Sequence, residues 1–214
     1  MLRHIPLLVV CQLDSSNIDL LKTVHKILSF FSNSFAILQL MDDRLLTLKY
    51  TICFAIAGSS VLIIRRNKEP YLHMWNGLGG KIEGQESPRD NIIREMYEES
   101  DLDLRKVNEL RWSGIVTWQS TKKEGVVYGG MYAFIAFVDK KCIFKERETR
   151  EGLLSWKKLA WVCDKKNKDV AENIPLFLPT MLESKERYEY ECTYLFGRLA
   201  RIQQKELPTS LLTV

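Results

Sequence analysis

Gly80-Lys81-Ile82-Glu83-Gly84-Gln85-Glu86, followed by Arg94-Glu95-Met96-Tyr97-Glu98-Glu99, sets a glycine loop directly before an acidic helix. Ser87 suits an N-cap, Pro88 the first helical position, and Asp90 completes a capping-box spacing, so a helix is expected to begin near Pro88. At about 100° per residue, Ile92, Ile93, Met96 and Tyr97 share one arc, while Glu95, Glu98 and Glu99 share another that points largely away from it. The like-charged pairs Glu95/Glu99 and Glu95/Glu98 each cost about a few tenths of a kcal/mol in an isolated helix, so something should offset the repulsion. Such a run is ordinarily a solvated face, but the loop upstream changes the reading. Gly77, Gly79 and Gly80 let the backbone turn a carbonyl toward an ion held by the carboxylates. Hard Mg²⁺ takes oxygen ligands, retains waters and bridges substrate phosphates, so an incomplete cage open to a diphosphate is chemically sensible.

Gly80, five residues, Glu86, seven residues, then Arg94-Glu95-Met96-Tyr97-Glu98-Glu99 resemble the Nudix box in order and spacing. Asp101 departs from the pattern, which has glycine there, although the expected aliphatic residue, Leu102, follows it. Aspartate takes a left-handed helix end at modest cost, and the departure removes no metal ligand. The resemblance implies that Glu95, Glu98 and Glu99 hold Mg²⁺ (or Mn²⁺), with the Gly80 carbonyl as a further ligand. Arg94 and Glu86 would orient those carboxylates through ionic hydrogen bonds, and Glu95 is the choice for general base. Glu151, five residues before Trp156, matches a downstream glutamate that supplements the metal site in MutT-like members; a surface loop acid is its plainer reading.

Trp75-Asn76-Gly77-Leu78-Gly79-Gly80-Lys81 resembles the approach to the box in MutT-type enzymes that hydrolyse oxidised purine nucleoside triphosphates, which makes Asn76 and Lys81 substrate-binding candidates. Glu172 and Asn173, just before Ile174-Pro175, lie roughly where related enzymes place side chains that read the purine edge. Helix capping is an equally economical role for Asn173. Trp75, Trp118 and Trp161 are candidates for stacking on a base, although a tryptophan in a small α/β domain more often belongs to the core.

The remainder of the chain is consistent with one domain and an added element. Its 214 residues, 46% hydrophobic, are enough for a real core. The net charge of +4 is mild and its basic residues are dispersed, so nucleic-acid binding is not indicated. Cys11, Cys53, Cys142, Cys163 and Cys192 form no Cys-x-x-Cys pair, which argues against a zinc site or a disulfide framework and fits a reducing cytoplasm. Ile5 to Cys11 superficially resembles a secretion or lipoprotein signal, but its apolar run is too short, and nothing reaches the roughly 20 apolar residues of a membrane span.

Residues from Asp14 to about Phe31 read as a capped amphipathic helix within an extension, 1–47, that the resemblance does not cover. Packing or homodimerisation is one role for it, and an alternative translation start at Met41 is the rival reading. From residue 48 to 206 the pattern is a compact α/β domain, followed by a tail, 207–214. Tyr50 to Ala57 and Ser60 to Arg65 are expected to pair through Gly58-Ser59. Ser113 to Gln119 and Tyr128 to Val138 are expected strands flanking a polar loop, Ser120 to Gly125. Phe177 to Ser184 reads as a short helix, and Tyr188 to Leu195 with Leu199 to Gln204 as a final hairpin. This order resembles the Nudix fold, a mixed β-sheet sandwiched between helices.

The resulting expectation is a Mg²⁺-dependent nucleoside triphosphate pyrophosphohydrolase, converting 8-oxo-dGTP to the monophosphate and pyrophosphate in nucleotide-pool sanitation and mutation avoidance. The box does not choose the base: ADP-ribose, dinucleoside polyphosphates and other nucleoside diphosphate derivatives are alternatives within the family. A non-catalytic ligand-sensing domain is the reading from a different class, and the retention of Glu95, Glu98 and Glu99 weighs against it.

Overall fold

A computed structural model describes residues 48–207. The expected helix from Asp14 to Phe31 and nearly all of the tail lie outside the described residues. The elements, in chain order, are strands β1 (Leu48–Ala57), β2 (Ser60–Arg66) and β3 (Trp75–Asn76), helix α1 (Pro88–Ser100), strands β4 (Glu109–Lys122), β5 (Gly125–Phe137), β6 (Arg147–Glu148) and β7 (Gly152–Lys158), helices α2 (Leu159–Val162) and α3 (Ile174–Glu183), and strands β8 (Tyr188–Leu195) and β9 (Arg198–Glu206).

The strands form one mixed sheet in the order β6-β7-β2-β1-β5-β4-β8-β9, with β3 added to β2. The β1/β5 and β4/β8 pairs are parallel and the rest are antiparallel. β1 is central and covered on both faces, which explains why Thr51 to Ala57 is nearly all apolar and wholly buried. Its alternation divides the core. Phe54 and Ile56 face Phe177, Leu178 and Met181 of α3, while Cys53 and Ala55 face Ile92 and Met96 of α1. The sheet is thereby sandwiched between helices.

Both expected hairpins form, β1–β2 through Gly58-Ser59 and β8–β9 through Phe196-Gly197. The expected polar loop does not: Ser120, Thr121 and Lys122 pair with Val127, Val126 and Gly125, leaving Lys123 and Glu124 as the turn. β-branched Thr121, Val126 and Val127 favour the ladder. Helix α3 starts three residues before Phe177, with Pro175 in its first turn.

Helix α1 is rotated from expectation. Asn91, Ile92, Met96 and Ser100 are its buried residues, whereas Tyr97 is 53% exposed. Glu99 lies only about 20° around the helix from Ile92, so the acidic stripe borders the packed face instead of opposing it. The glycine loop receives the inward-turned glutamates.

Candidate active site

The local chemistry of α1 develops as its sequence directs. Ser87 is the N-cap, its Oγ accepting the Asp90 N–H at 3.1 Å and donating to the Asp90 carboxylate at 2.7 Å. At the other end Asp101 adopts φ 60° and ψ 12°, the left-handed conformation expected of the residue replacing glycine. Its N–H donates to the Tyr97 carbonyl at 2.8 Å.

The loop is tied to β1 and α1 by backbone and by one buried amide. Thr51 N–H donates to the Gly80 carbonyl at 2.8 Å, and Cys53 N–H to the Leu78 carbonyl at 2.7 Å. Asn91 is fully buried, accepts the Thr51 hydroxyl at 2.5 Å, and donates to the Lys81 carbonyl and the Glu86 carboxylate at 2.8 Å each. Gly79 lies at φ 140°, and a Cβ there would strike the Thr51 carbonyl. A Cβ on Gly80 would collide with the Glu95 carboxylate, so the loop is as close to that side chain as glycine permits.

Arg94 organises the charges. Its guanidinium meets Glu86 at 2.8 Å, Glu95 at 2.9 Å and Glu98 at 3.2 Å. Hydrogen bonds from Arg94, with others from Asn91 and the Glu83 N–H, hold the Glu86 carboxyl down at about 2. Burial pushes Glu95 up against the opposing charge of Arg94. Burial also pushes Glu99 up to about 7, reinforced by the negative charges of Glu95 and Glu151 and opposed by the Gly79 N–H, which donates at 3.1 Å, and by Arg66.

The expected metal ligands do not all converge. Glu95 and Glu99 face the glycine loop, and Glu151 is near enough for its charge to act on Glu99. Glu98 is 56% exposed in its side chain and turned to Arg94, while Glu151 is held by Lys68 at 2.8 Å. Among the described residues no three such side chains gather into a closed metal cage. The donor set nevertheless suits a hard cation: carboxylate oxygens press on one another's charge, and the Gly80 carbonyl keeps a lone pair beyond its bond to Thr51. The few protein ligands leave room for waters and phosphate oxygens.

The substrate-binding candidates separate into two groups. Asn76 Oδ1 accepts the Gly77 N–H at 2.9 Å, shaping the loop, and Lys81 is exposed with its carbonyl committed to Asn91 and Arg94. Glu172 and Asn173 lie at the start of α3. Glu172 Oε2 accepts the Leu199 N–H at 2.8 Å. Asn173 is 5% exposed, makes no capping bond although it holds the N-cap position, and hydrogen-bonds Cys192. Capping is therefore not its role. Trp75 is core, 7% exposed with Trp161 edge-on at 6.4 Å, and Trp118 is partly buried beside Tyr50.

Two contributors carry no local sequence signature. Arg66, at the end of β2, acts on Glu99 from outside the box. The segment after it returns through Tyr71 and His73 at φ 67° and 64°, and the Tyr71 hydroxyl meets that of Tyr194 at 2.7 Å. Tyr71 feels the charges of both Glu172, at the α3 start, and Arg66.

A mixed sheet between helices, with a glycine loop and an acidic helix set against its central strand, defines an α/β protein equipped to handle phosphates. A NUDIX domain matches residues 48–176, and the chain belongs to the Nudix hydrolase superfamily. It is a Nudix-fold hydrolase of nucleotide-type substrates, a class whose chemistry depends on a divalent cation. The fold is similar to that of a MutT protein from Bacillus halodurans, at 22% identity and a TM-score of 0.58, over 74% of this chain and 98% of that one. It is also similar to the NUDIX domain of Shewanella oneidensis NrtR complexed with ADP-ribose, at 16% identity and a TM-score of 0.50, over 64% of this chain and 87% of that one. No helix among the described residues is long and apolar enough to cross a membrane.

Proposed function

We propose that the protein is a Mg²⁺-dependent nucleoside triphosphate pyrophosphohydrolase that adds water across a phosphoanhydride, releasing a nucleoside monophosphate and pyrophosphate, with 8-oxo-dGTP as preferred substrate. The observation that carries the chemistry is the pressing of Glu95 and Glu99 onto the Gly79-Gly80 backbone, with Arg94 joining Glu95 to Glu86 and Glu98. Glu95, Glu98, Glu99, Glu151 and the Gly80 carbonyl would hold the cation, which when bound supplies charge neutralisation around the scissile phosphates. Glu95 takes a proton from the attacking water. Arg94 keeps that carboxylate aimed, and Arg66 offers positive charge on the same side. Asn76 and Lys81 border the phosphate end, and nucleotide-pool sanitation is the resulting biological role.

The choice of base rests on the Trp75-to-Lys81 sequence and on the buried amide of Asn173 beside Glu172. The test is a panel of 8-oxo-dGTP, dGTP, ADP-ribose and a dinucleoside polyphosphate with Mg²⁺, scored for monophosphate and pyrophosphate. Preferential turnover of 8-oxo-dGTP is expected. Faster hydrolysis of ADP-ribose reassigns the substrate, and no turnover of any member removes the enzymatic reading.

A further inference from the structure

Asp101 occupies a left-handed helix end that glycine enters more readily, and the chain supplies a brace at that point. Arg147 Nη2 donates to the Asp101 carboxylate at 2.7 Å and to the Ser100 carbonyl at 2.7 Å. That carbonyl is one of those a helix leaves without an internal partner. The guanidinium lies 4.8 Å over the Phe144 ring, which packs edge-on against Trp156 of β7 at 6.1 Å. Arg147 pairs with Leu154, and the Thr149 and Gly152 N–H groups each donate to the other's carbonyl, at 2.8 and 3.3 Å. Arg147 and Glu151 thus share one closed hairpin, as Glu99 and Asp101 share one helix end.

We propose that Arg147 is a positioning residue, which by gripping Ser100 and Asp101 registers the Glu99 end of α1 against the Glu151 turn and compensates for the absent glycine. The inference rests on the proposed reading of Glu99 and Glu151 as metal ligands. The Asp101 side chain is 73% exposed and that of Arg147 41%, so the pair contributes little to global stability and acts locally. Glu99 supplies its own reporter. Because its carboxylate accepts the Gly79 N–H at 3.1 Å, protection of that amide follows the position of the carboxylate whether or not a cation is present.

The experiment uses the full chain. Hydrogen exchange of the Gly79 amide is measured by NMR on metal-free protein, alongside the Mn²⁺ binding midpoint by EPR and the Tm. Arg147→Ala is expected to speed Gly79 exchange about tenfold and weaken Mn²⁺ binding about tenfold, the scale of an outer-shell loss, with little change in Tm. Arg147→Lys keeps the charge without the fork and falls between. Combining Arg147→Ala with Asp101→Gly restores most of both losses, since glycine holds the helix end unaided. Unchanged exchange and Mn²⁺ binding in Arg147→Ala, or no recovery in the double variant, overturns the proposal. Should Arg147→Ala fail to fold, Arg147→Met keeps an apolar stem over Phe144 but removes every donor to Ser100 and Asp101, and unchanged values there overturn it equally. Wild-type protein that binds no Mn²⁺ refutes the metal-site reading instead, and Gly79 exchange still decides whether Arg147 holds Glu99.

Discussion

Arg94 meets Glu86 eight residues away and Glu99 meets Gly79 twenty away, whereas Tyr71 meets Tyr194 across 123 residues and Glu172 meets Leu199 across 27. The proposed phosphate end is built mainly from one loop and the helix that follows it, with Arg66 and Glu151 acting on it from outside that run. The proposed base end is assembled by the sheet, from a segment after β2, the start of α3 and the last two strands. The first gathers the carboxylates of Glu95 and Glu99, both pushed up by burial, and the second centres on the hydroxyl pair of Tyr71 and Tyr194 beside Glu172. On that proposal the chemistry is encoded mostly locally, and recognition of the base is distributed over the fold.

The largest effect expected from this contrast lies at the phosphate end. Glu95→Gln, Glu98→Gln and Glu99→Gln each preserve volume and should lower kcat/KM by about a hundredfold or more, since even outer-shell changes at a metal site cost roughly 10–100-fold. Steady-state rates at limiting and saturating Mg²⁺ provide the check. Near-normal activity of Glu98→Gln at limiting Mg²⁺ would release that exposed carboxylate from the metal set and leave it as an Arg94 partner.

This division also explains what was legible before any coordinates. The cap at Ser87, the box spacing and the central β1 run are contiguous patterns, and each appears where its periodicity put it. β7 is not marked in the sequence: Leu153 and Leu154 are both apolar and pack on opposite faces of a strand that lies between β2 and β6, so no alternation shows. Nor does anything in the neighbouring sequence identify Tyr71 and His73 as positive-φ residues, because L-residues seldom adopt that conformation. Helical periodicity places Tyr97 on one arc with Ile92 and Met96 but does not fix which edge of that arc turns inward. Asn91 escaped notice because its partners, Thr51, Lys81 and Glu86, come from two separate segments.

Asn91 supplies the next prediction, since its side chain ties α1 and the loop to the Thr51 hydroxyl of the distant strand β1. Asn91→Ala leaves the Thr51 hydroxyl and the Lys81 carbonyl short of a buried partner and should cost about 2–3 kcal/mol in unfolding free energy. Denaturant unfolding measures it. A loss below about 0.5 kcal/mol would mean that water replaces the amide and the loop stands without it.

Glu99 permits a comparison by pH. Its folded value of about 7 exceeds the ordinary carboxyl value of 4.5 reached on unfolding, so the folded chain retains a proton that the unfolded chain has lost. Metal-free stability should therefore fall as pH rises from about 4.5 to 7, by roughly 2 kcal/mol after allowing for solvent screening. Glu86 works in the other direction. Its lowered value contributes stability above 4.5 that disappears as pH falls toward 2, so the two windows do not overlap. Glu99→Gln should flatten the upper window and leave metal-free protein more stable at pH 8. A slope unchanged in that variant would assign the proton elsewhere in the cluster.

The smallest effect is expected at the base end, where recognition is shared. Oxidation at C8 converts N7 of guanine from an acceptor to a donor, and a site with a fixed acceptor can tell the two apart. Asn173 is buried without a capping bond, and Glu172 has one oxygen committed to Leu199 and a second that can accept. A mismatched polar pair in an apolar pocket costs about 1–3 kcal/mol, but with two proposed acceptors each single removal should shift selectivity by only about 1–2 kcal/mol, roughly five- to thirtyfold. The quantity to compare is the ratio of kcat/KM for 8-oxo-dGTP and dGTP in wild type, Asn173→Ala and Glu172→Ala. Equal use of both nucleotides by the wild type would end the sanitising role while leaving the phosphate chemistry intact. Selectivity unchanged in both variants would transfer recognition toward Tyr71 and Tyr194, whose hydroxyl pair is the remaining polar contact that joins the segment after β2 to β8.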